Sequence, residues 1–186
     1  MNGGALVLAA GASERFGSDK RKYRVDGRPL LQRTVEQVHQ AGLACRVCLR
    51  PGDGDIPLLL GIPGIEFIEC ASAAQGMGST LAEGVRACPD WEGLLVVLGD
   101  MAWVRPDTLL GVFTALTADT LVQPVCNGKP GHPVGFGKRF FPELAALSGD
   151  RGGRALLQRH AGLLREVTVD DPGIHRDLDR PPGEGG

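Results

Sequence analysis

Ala5-Leu6-Val7-Leu8-Ala9-Ala10-Gly11-Ala12-Ser13-Glu14-Arg15-Phe16-Gly17-Ser18-Asp19-Lys20 decides how the rest of the chain is read. The apolar run from Ala5 to Ala9 has the length of a strand, and Gly11 closes it, as expected of a buried strand in a parallel sheet. A loop of small residues follows, with Arg15 and Lys20 set in it. Small residues let a backbone come close to a phosphate and point N–H groups at its oxygens. Arg15 can grip two oxygens at once, and Lys20 supplies a point charge. The loop is neither a Walker A sequence nor Gly-x-Gly-x-x-Gly, so no dinucleotide site follows from it. Taken alone, it could also be a glycine turn carrying solvated charges.

The same alternation continues outward. Pro29 to Ala41 has helical spacing, with Leu31, Val35 and Val38 on one side and Gly42 past its end. Strands are expected at Cys45–Leu49, Ile65–Glu69, Leu94–Leu98, Thr120–Pro124, His132–Phe136 and Leu164–Val169. Helices are expected at Ser79–Cys88, Pro106–Ala118, Phe140–Leu147 and Gly153–His160, with a helical turn at Pro57–Leu60. Apolar strands alternating with amphipathic helices imply an α/β fold, a parallel or mixed sheet covered on both faces. Ligands in such sheets sit beyond the carboxyl ends of the strands. One domain is expected over residues 1–180, with a Pro- and Gly-rich tail over 181–186.

Composition narrows the classes. The 186 residues are 42% hydrophobic and 23% charged, with a net charge of −2. There is no global basic field to hold nucleic acid, and no apolar run long enough for a membrane span. The start of the chain lacks the basic stretch of a signal peptide, so a cytoplasmic location is expected. The five cysteines read as free thiols. Cys45-Arg46-Val47-Cys48 has the spacing of a metal knuckle, but in a strand residues three apart face opposite ways, and the expected reading is two packed thiols.

Asp100 follows the most apolar strand, where a carboxylate is costly unless it is paired or ligates a metal. Mg²⁺ suits one or two carboxylates plus phosphate oxygens. Gly76, Gly78 and Ser79 form a turn that opens a helix, a natural place for an anion or a base edge. His132 read alone would be a core histidine, and Gly149-Asp150-Arg151 a turn between helices.

Four segments, in order, carry a resemblance. Leu8 to Lys20 resembles the opening signature of the MobA-like nucleotidyltransferase superfamily. Gln75-Gly76-Met77-Gly78-Ser79-Thr80 is similar to its second nucleotide loop, and Leu98-Gly99-Asp100-Met101 to its metal-binding strand end. Gly131-His132-Pro133-Val134-Gly135-Phe136-Gly137, with Ser148 to Leu157, is similar to the acceptor side of the molybdenum cofactor cytidylyltransferase branch. The likeness runs from about residue 4 to residue 180.

The resemblance implies a three-layer, Rossmann-like, mostly parallel sheet of the nucleotide-diphospho-sugar transferase type. It implies transfer of a nucleoside monophosphate, with CTP favoured, to a molybdopterin-type acceptor, with pyrophosphate released. Arg15, Lys20 and Asp100 would be catalytic. Leu8, Ala9, Ala10, Gly11, Gly76, Gly78 and Ser79 would bind the nucleotide, and His132, Asp150 and Arg151 would face the acceptor. Asp100 and Asp179 would hold Mg²⁺, with Asp177 as the alternative, because Arg180 stands where the family usually has Thr. CTP is favoured because Ala10 stands where guanylyl-transferring relatives usually have Gly. A molybdoenzyme is a candidate partner. Two other readings stay open: transfer to a different phosphate such as a sugar phosphate, and a non-catalytic chaperone holding the molybdenum cofactor.

Overall fold

The computed structural model describes residues 1–11 and 16–178. Strand β1 (Gly3–Leu8) is followed by a small hairpin, β2 (Arg24–Val25) and β3 (Arg28–Pro29), and by helix α1 (Leu30–Gln40). Next come β4 (Ala44–Leu49), the short helix α2 (Ile56–Leu60), β5 (Ile65–Glu69), α3 (Met77–Arg86), β6 (Gly93–Leu98) and α4 (Pro106–Ala115). The chain then forms β7 (Leu121–Cys126), β8 (Lys129–Pro130), β9 (Val134–Gly137), α5 (Phe141–Ala145), α6 (Arg154–Arg159) and β10 (Leu164–Thr168).

The main sheet runs in the order β10-β7-β9-β6-β1-β4-β5, with β8 paired to β7. β1, β4, β5 and β6 are parallel, β10 is parallel to β7, and β9 runs against both β6 and β7. It is the mixed, mostly parallel sheet with helices on both faces that the alternating pattern implies.

Side-chain alternation along each strand divides the core in two. Ala5, Val7, Val47, Leu95 and Val97 face α1, α2 and α4. Leu6, Leu8, Cys48, Leu94 and Val96 face α3, α5 and α6. A period of two along a strand sends neighbours to opposite faces, and here both faces are apolar because both are covered. Cys45 and Cys48 obey the same rule and fall in different halves of the core. All five cysteines are buried free thiols, and burial pushes the Cys45 thiol up to about 12.

Several boundaries differ from the sequence expectation by one to three residues, and for two of them the physical reason is visible. α3 begins at Met77 rather than Ser79, because the carbonyl of Gly149 accepts from the N–H groups of Gly78 and Ser79 and serves as an external cap. α4 ends at Ala115 rather than Ala118, because the Thr120 hydroxyl accepts from the Thr117 N–H at 2.9 Å and turns the chain. β2, β3 and β8 have two residues each, too few to show a period. Among the described residues no helix is long and apolar enough to cross a membrane. The tail expected over 181–186 lies outside the described residues.

The segment after β10 returns to the loop that follows β6. Asp171, which is 2% exposed, accepts from the Arg105 N–H at 2.8 Å, the Thr108 hydroxyl at 2.7 Å and the Gly173 N–H at 2.9 Å. It thereby caps the start of α4 from a distant part of the chain. Arg176 lies over the ring of Trp103, 3.9 Å from its centroid, and the Ile174 carbonyl accepts from the His132 N–H at 3.0 Å. Asp171→Ala removes the acceptor from two buried donors at once and is expected to lower stability by about 2–3 kcal/mol in urea unfolding. Asp171→Asn should lose less, because its amide oxygen still accepts. Equal midpoints for both variants and wild type would dismiss this carboxylate as the anchor.

Candidate active site

β1 and β6 are in parallel register from Gly3 opposite Gly93 to Leu8 opposite Leu98. The residues that follow them therefore leave the sheet side by side, and the Gly99 N–H donates to the Leu8 carbonyl at 3.0 Å. Beyond these strand ends lies a cavity of about 790 Å³. One wall is Leu8, Ala9, Ala10 and Gly11, and the opposite wall is Gln75, Gly76 and Met77. Lys20 and Asp100 line it together, with the Lys20 ammonium 2.6 Å from the Asp100 carboxylate. The structure thus brings together a cation and a carboxylate that are distant in sequence, at the mouth of the most apolar strands. Arg15 and Asp179, expected to grip phosphate and to complete a metal site, lie outside the described residues.

Lys20 is held from beneath by a network that its own sequence conceals. Arg21 reads as part of a solvated basic run, yet it is 4% exposed. Its guanidinium donates to the Ala9 carbonyl at 2.9 Å, to Asp19 at 2.7 and 2.8 Å, and to Asp53. Arg50, which also lines the cavity, contacts Asp53 at 3.3 Å and Asp19 at 3.8 Å. Hydrogen bonds from Arg21 hold the Asp19 carboxyl below its ordinary value against the opposing effect of burial. Burial pushes Asp53 up, but the hydrogen bonds from Arg21 and Arg50 outweigh it and hold that carboxyl far below the usual range. The network ties the end of β1, the residues before Lys20 and the loop after β4 into one platform. A readable trace was Pro51-Gly52-Asp53-Gly54-Asp55, two acids in a turn directly after a strand.

The expected second nucleotide loop divides into two parts. Gly76 faces the cavity, whereas Gly78 and Ser79 stand buried behind that wall. Their backbone N–H groups donate to the Gly149 carbonyl at 2.7 and 3.3 Å, and the Ser79 hydroxyl accepts from the Gly149 N–H at 3.0 Å. A side chain at Gly76 would meet Asp150 Oδ1 at 2.2 Å, and one at Gly78 would meet the Arg151 carbonyl oxygen at 2.3 Å. Both glycines are thus required by a backbone crossing. Asp150, expected on the acceptor side, lines the first cavity, and Arg151 lends its backbone to the crossing while its side chain is exposed.

A second cavity, of about 600 Å³, adjoins the first and shares Leu8, Met77 and Leu98 with it. His132 lines it. Burial lowers the His132 pKa below its ordinary value, and the charges of Asp100 and Asp177 oppose this without reversing it, so the ring is neutral near pH 7. Among the described residues no three His, Cys, Asp or Glu side chains are grouped to hold a metal by themselves. Mg²⁺ needs fewer, since phosphate oxygens and water supply the rest. Asp100 on the wall of the 790 Å³ cavity, with Asp177 close enough for its charge to be felt at His132, fits that demand.

A mixed, mostly parallel sheet with a cavity beyond the carboxyl ends of its central strands is the arrangement in which open α/β domains bind their ligands. The chain belongs to the MobA-like NTP transferase domain family, whose model matches residues 5–163. It is similar to the bifunctional protein GlmU of Geobacter metallireducens, with 30% identity over 139 residues, which are 72% of this chain and 29% of that protein. The chain therefore spans under a third of that relative. A shorter likeness, 40% identity over 45 residues (24% of this chain and 23% of the relative), is to a probable molybdenum cofactor guanylyltransferase of Pyrococcus horikoshii. Among solved structures, Rv0371c of Mycobacterium tuberculosis superposes with a TM-score of 0.81 at 26% identity over 97% of this chain and 93% of that one. A manganese complex of the same protein superposes with a TM-score of 0.75 at 24% identity, over 96% of each chain.

The Arg21 platform makes a direct prediction. Arg21→Met removes one cation from two carboxylates that are 24% and 11% exposed. The expected loss is about 3 kcal/mol, the scale of breaking a buried ion pair from one side. Both carboxyls titrate below 3.8 in the folded protein. Their contribution is full above about pH 4 and fades as the pH falls through the depressed folded values. Urea unfolding between pH 7 and pH 2.5 should show a steep acid loss in wild type and a flatter one in Arg21→Met. Parallel curves would mean the carboxylates are not held by Arg21.

Proposed function

We propose that this protein transfers a nucleoside monophosphate from a nucleoside triphosphate to a phosphorylated acceptor, releasing pyrophosphate. The observation that carries this is the pairing of Lys20 with Asp100 at the mouth of the first cavity, directly beyond β1 and β6. An acceptor phosphate oxygen attacks the α-phosphorus, a new P–O bond forms, and the bond to the β-phosphate breaks. The attacking phosphate is already ionised at neutral pH, so no general base is required. The work left to the protein is positioning and charge neutralisation. Lys20 offsets negative charge on the triphosphate, and Arg15 is assigned to the same task by the loop sequence. Ala9, Ala10 and Gly11 set the backbone against the nucleotide, held in place by Arg21 through the Ala9 carbonyl. Met77 stands where the two cavities meet and separates donor from acceptor. Gly78 and Ser79 act on the nucleotide pocket from behind, by fixing its wall to Gly149. His132 borders the acceptor, while Asp150 lines the nucleotide cavity and Arg151 braces the wall between the two cavities through its backbone. Mg²⁺, held by Asp100 with Asp179 or Asp177, would neutralise the phosphate charge.

The acceptor we propose is of the molybdopterin type and the nucleotide CTP. The segments around His132 and Asp150 support the first, together with the short likeness to a molybdenum cofactor guanylyltransferase. Ala10 supports the second, since it lines the pocket at the end of β1 at the position where the resemblance to guanylyl-transferring relatives would give Gly. The same short likeness favours GTP as the second reading, because that relative is described as a guanylyltransferase.

Asp100→Asn should lower kcat by about 100-fold or more while the protein stays folded, the scale of losing one electrostatic stabiliser. Pyrophosphate release with Mg²⁺ measures it, and near-normal turnover would remove Asp100 from the chemistry. The base is tested by kcat/KM for CTP and GTP with one acceptor. CTP should be preferred, and Ala10→Gly should relax the preference by at most about 10–200-fold, the reach of one methyl group in a pocket. Equal or better use of GTP by wild type would favour guanylyl transfer and leave the transferase reading intact.

A further inference from the structure

Arg50 lines the nucleotide cavity, and the transfer chemistry gives it no task. Its place follows from the order of the strands, β6-β1-β4. Leu8 is opposite Leu98 on one side and Cys48 on the other, so Asp100, Ala10 and Arg50 each stand two residues past one row. Ala10 is the middle one. Lys20 and Asp100 pair on the β6 side of the cavity, and Arg50 follows β4, two strand spacings away, or about 10 Å. That is comparable to the span from the α-phosphate of a nucleotide to the far edge of its base. Part of the Arg50 side chain is already fixed. Its Nε donates to Asp53 Oδ2 at 3.4 Å, its Nη2 donates to Asp53 Oδ1 at 3.3 Å, and its backbone N–H donates to the same carboxylate at 2.9 Å. Asp53 thus takes one fork of the guanidinium. The other fork, Nη1 with the second N–H of Nη2, makes no hydrogen bond among the described residues, and the side chain is 33% exposed.

We infer that Arg50 reads the base of the nucleotide and admits only bases that carry two hydrogen-bond acceptors side by side. The inference rests on the nucleotidyl-transfer reading for placing the triphosphate in this cavity. A guanidinium fork offers two parallel donors and no acceptor. Cytosine presents O2 beside N3, and guanine presents O6 beside N7, the pair that arginine grips in nucleic acids. In uracil an N3–H donor stands between O2 and O4. In adenine an amino group stands beside both N1 and N7, so neither of these bases offers the fork a matching pair. Arg50 therefore sorts cytosine and guanine from uracil and adenine, and Ala10 beside it decides between the two that remain. A second phosphate clamp is the other task a cation could have here. Against it, Arg50 lies across Ala10 from the Lys20–Asp100 pair, and Asp53 and Asp19 already balance its charge at 3.3 and 3.8 Å.

The test is calorimetric titration of the full chain with CTP, GTP, UTP and ATP, each with Mg²⁺ and without acceptor. The better of CTP and GTP should bind at least about 10-fold more tightly than UTP and ATP, the reach of one bidentate contact. Arg50→Lys keeps the charge and loses the fork. It should weaken CTP and GTP to the level of UTP and leave UTP and ATP unchanged. Arg21 still holds Asp53 in this variant, so its circular dichroism should match wild type. If it does not, the wild-type ranking of the four triphosphates decides alone. UTP or ATP bound by wild type as tightly as CTP and GTP would overturn the inference and leave the transferase reading standing. So would an Arg50→Lys variant that keeps the wild-type ranking while Arg50→Met weakens all four equally, the pattern of a phosphate ligand. No triphosphate bound by a folded wild type would overturn the inference and the transferase reading together.

Discussion

The parallel pairing of β1 with β6 is the constraint on which the site depends. Two parallel strands of equal length, in register from first residue to last, must release their chains at the same height and next to one another. The loop that holds Lys20 and the turn that holds Asp100 are therefore neighbours before any side chain is considered. The ion pair between them follows from strand order as much as from charge. α1 adds to this by tying its Thr34 hydroxyl to the Gly99 carbonyl at 3.0 Å, which fixes the second turn against the helix that follows the first loop.

Around that pair the protein spends its strongest polar contacts on scaffolding. Arg21 is buried with two carboxylates and a carbonyl, and Asp171 with two backbone amides and a hydroxyl. Neither is placed at the centre of the cavity. Each joins distant segments whose ends carry the exposed groups. The crossing of residues 76–79 with 149–151 works in the same way: it makes one wall common to two cavities, so a shift in one loop is felt on both sides.

Much of the fold was legible because both its periods are strong. Ala5 to Ala9, Ile65 to Glu69 and Leu94 to Leu98 read as strands within a residue or two of where they lie. The first cavity sits at the carboxyl ends of β1 and β6, as the alternation required, whereas the second runs on along the sheet face past Val96, Gln123 and Leu164. Lys20, Asp100, Gly76 and His132 could be singled out because each stands in a short motif beside an apolar run. Arg21 and Asp171 could not, since a basic run or a pair of acids reads as solvated surface until its distant partners are known. Gly78 and Ser79 mislead differently. Their sequence suits a ligand loop, yet their polar groups are taken by the backbone of Gly149, a contact across 70 residues that no local pattern encodes.

The five buried cysteines have a further consequence. Cys45 and Cys126 lie in one half of the core, and Cys48, Cys70 and Cys88 in the other. A thiol reagent can reach them only when the surrounding layer opens, so the protein carries its own reporters of native-state breathing. Their labelling rates, resolved cysteine by cysteine, would rank the local stability of the two helical layers without any introduced probe. The layer holding α3, α5 and α6 includes short helices of five and six residues and the crossing beside the cavities. Slow exchange at Cys45 beside faster exchange at Cys70 and Cys88 would identify that layer as the one that gives way when a substrate enters.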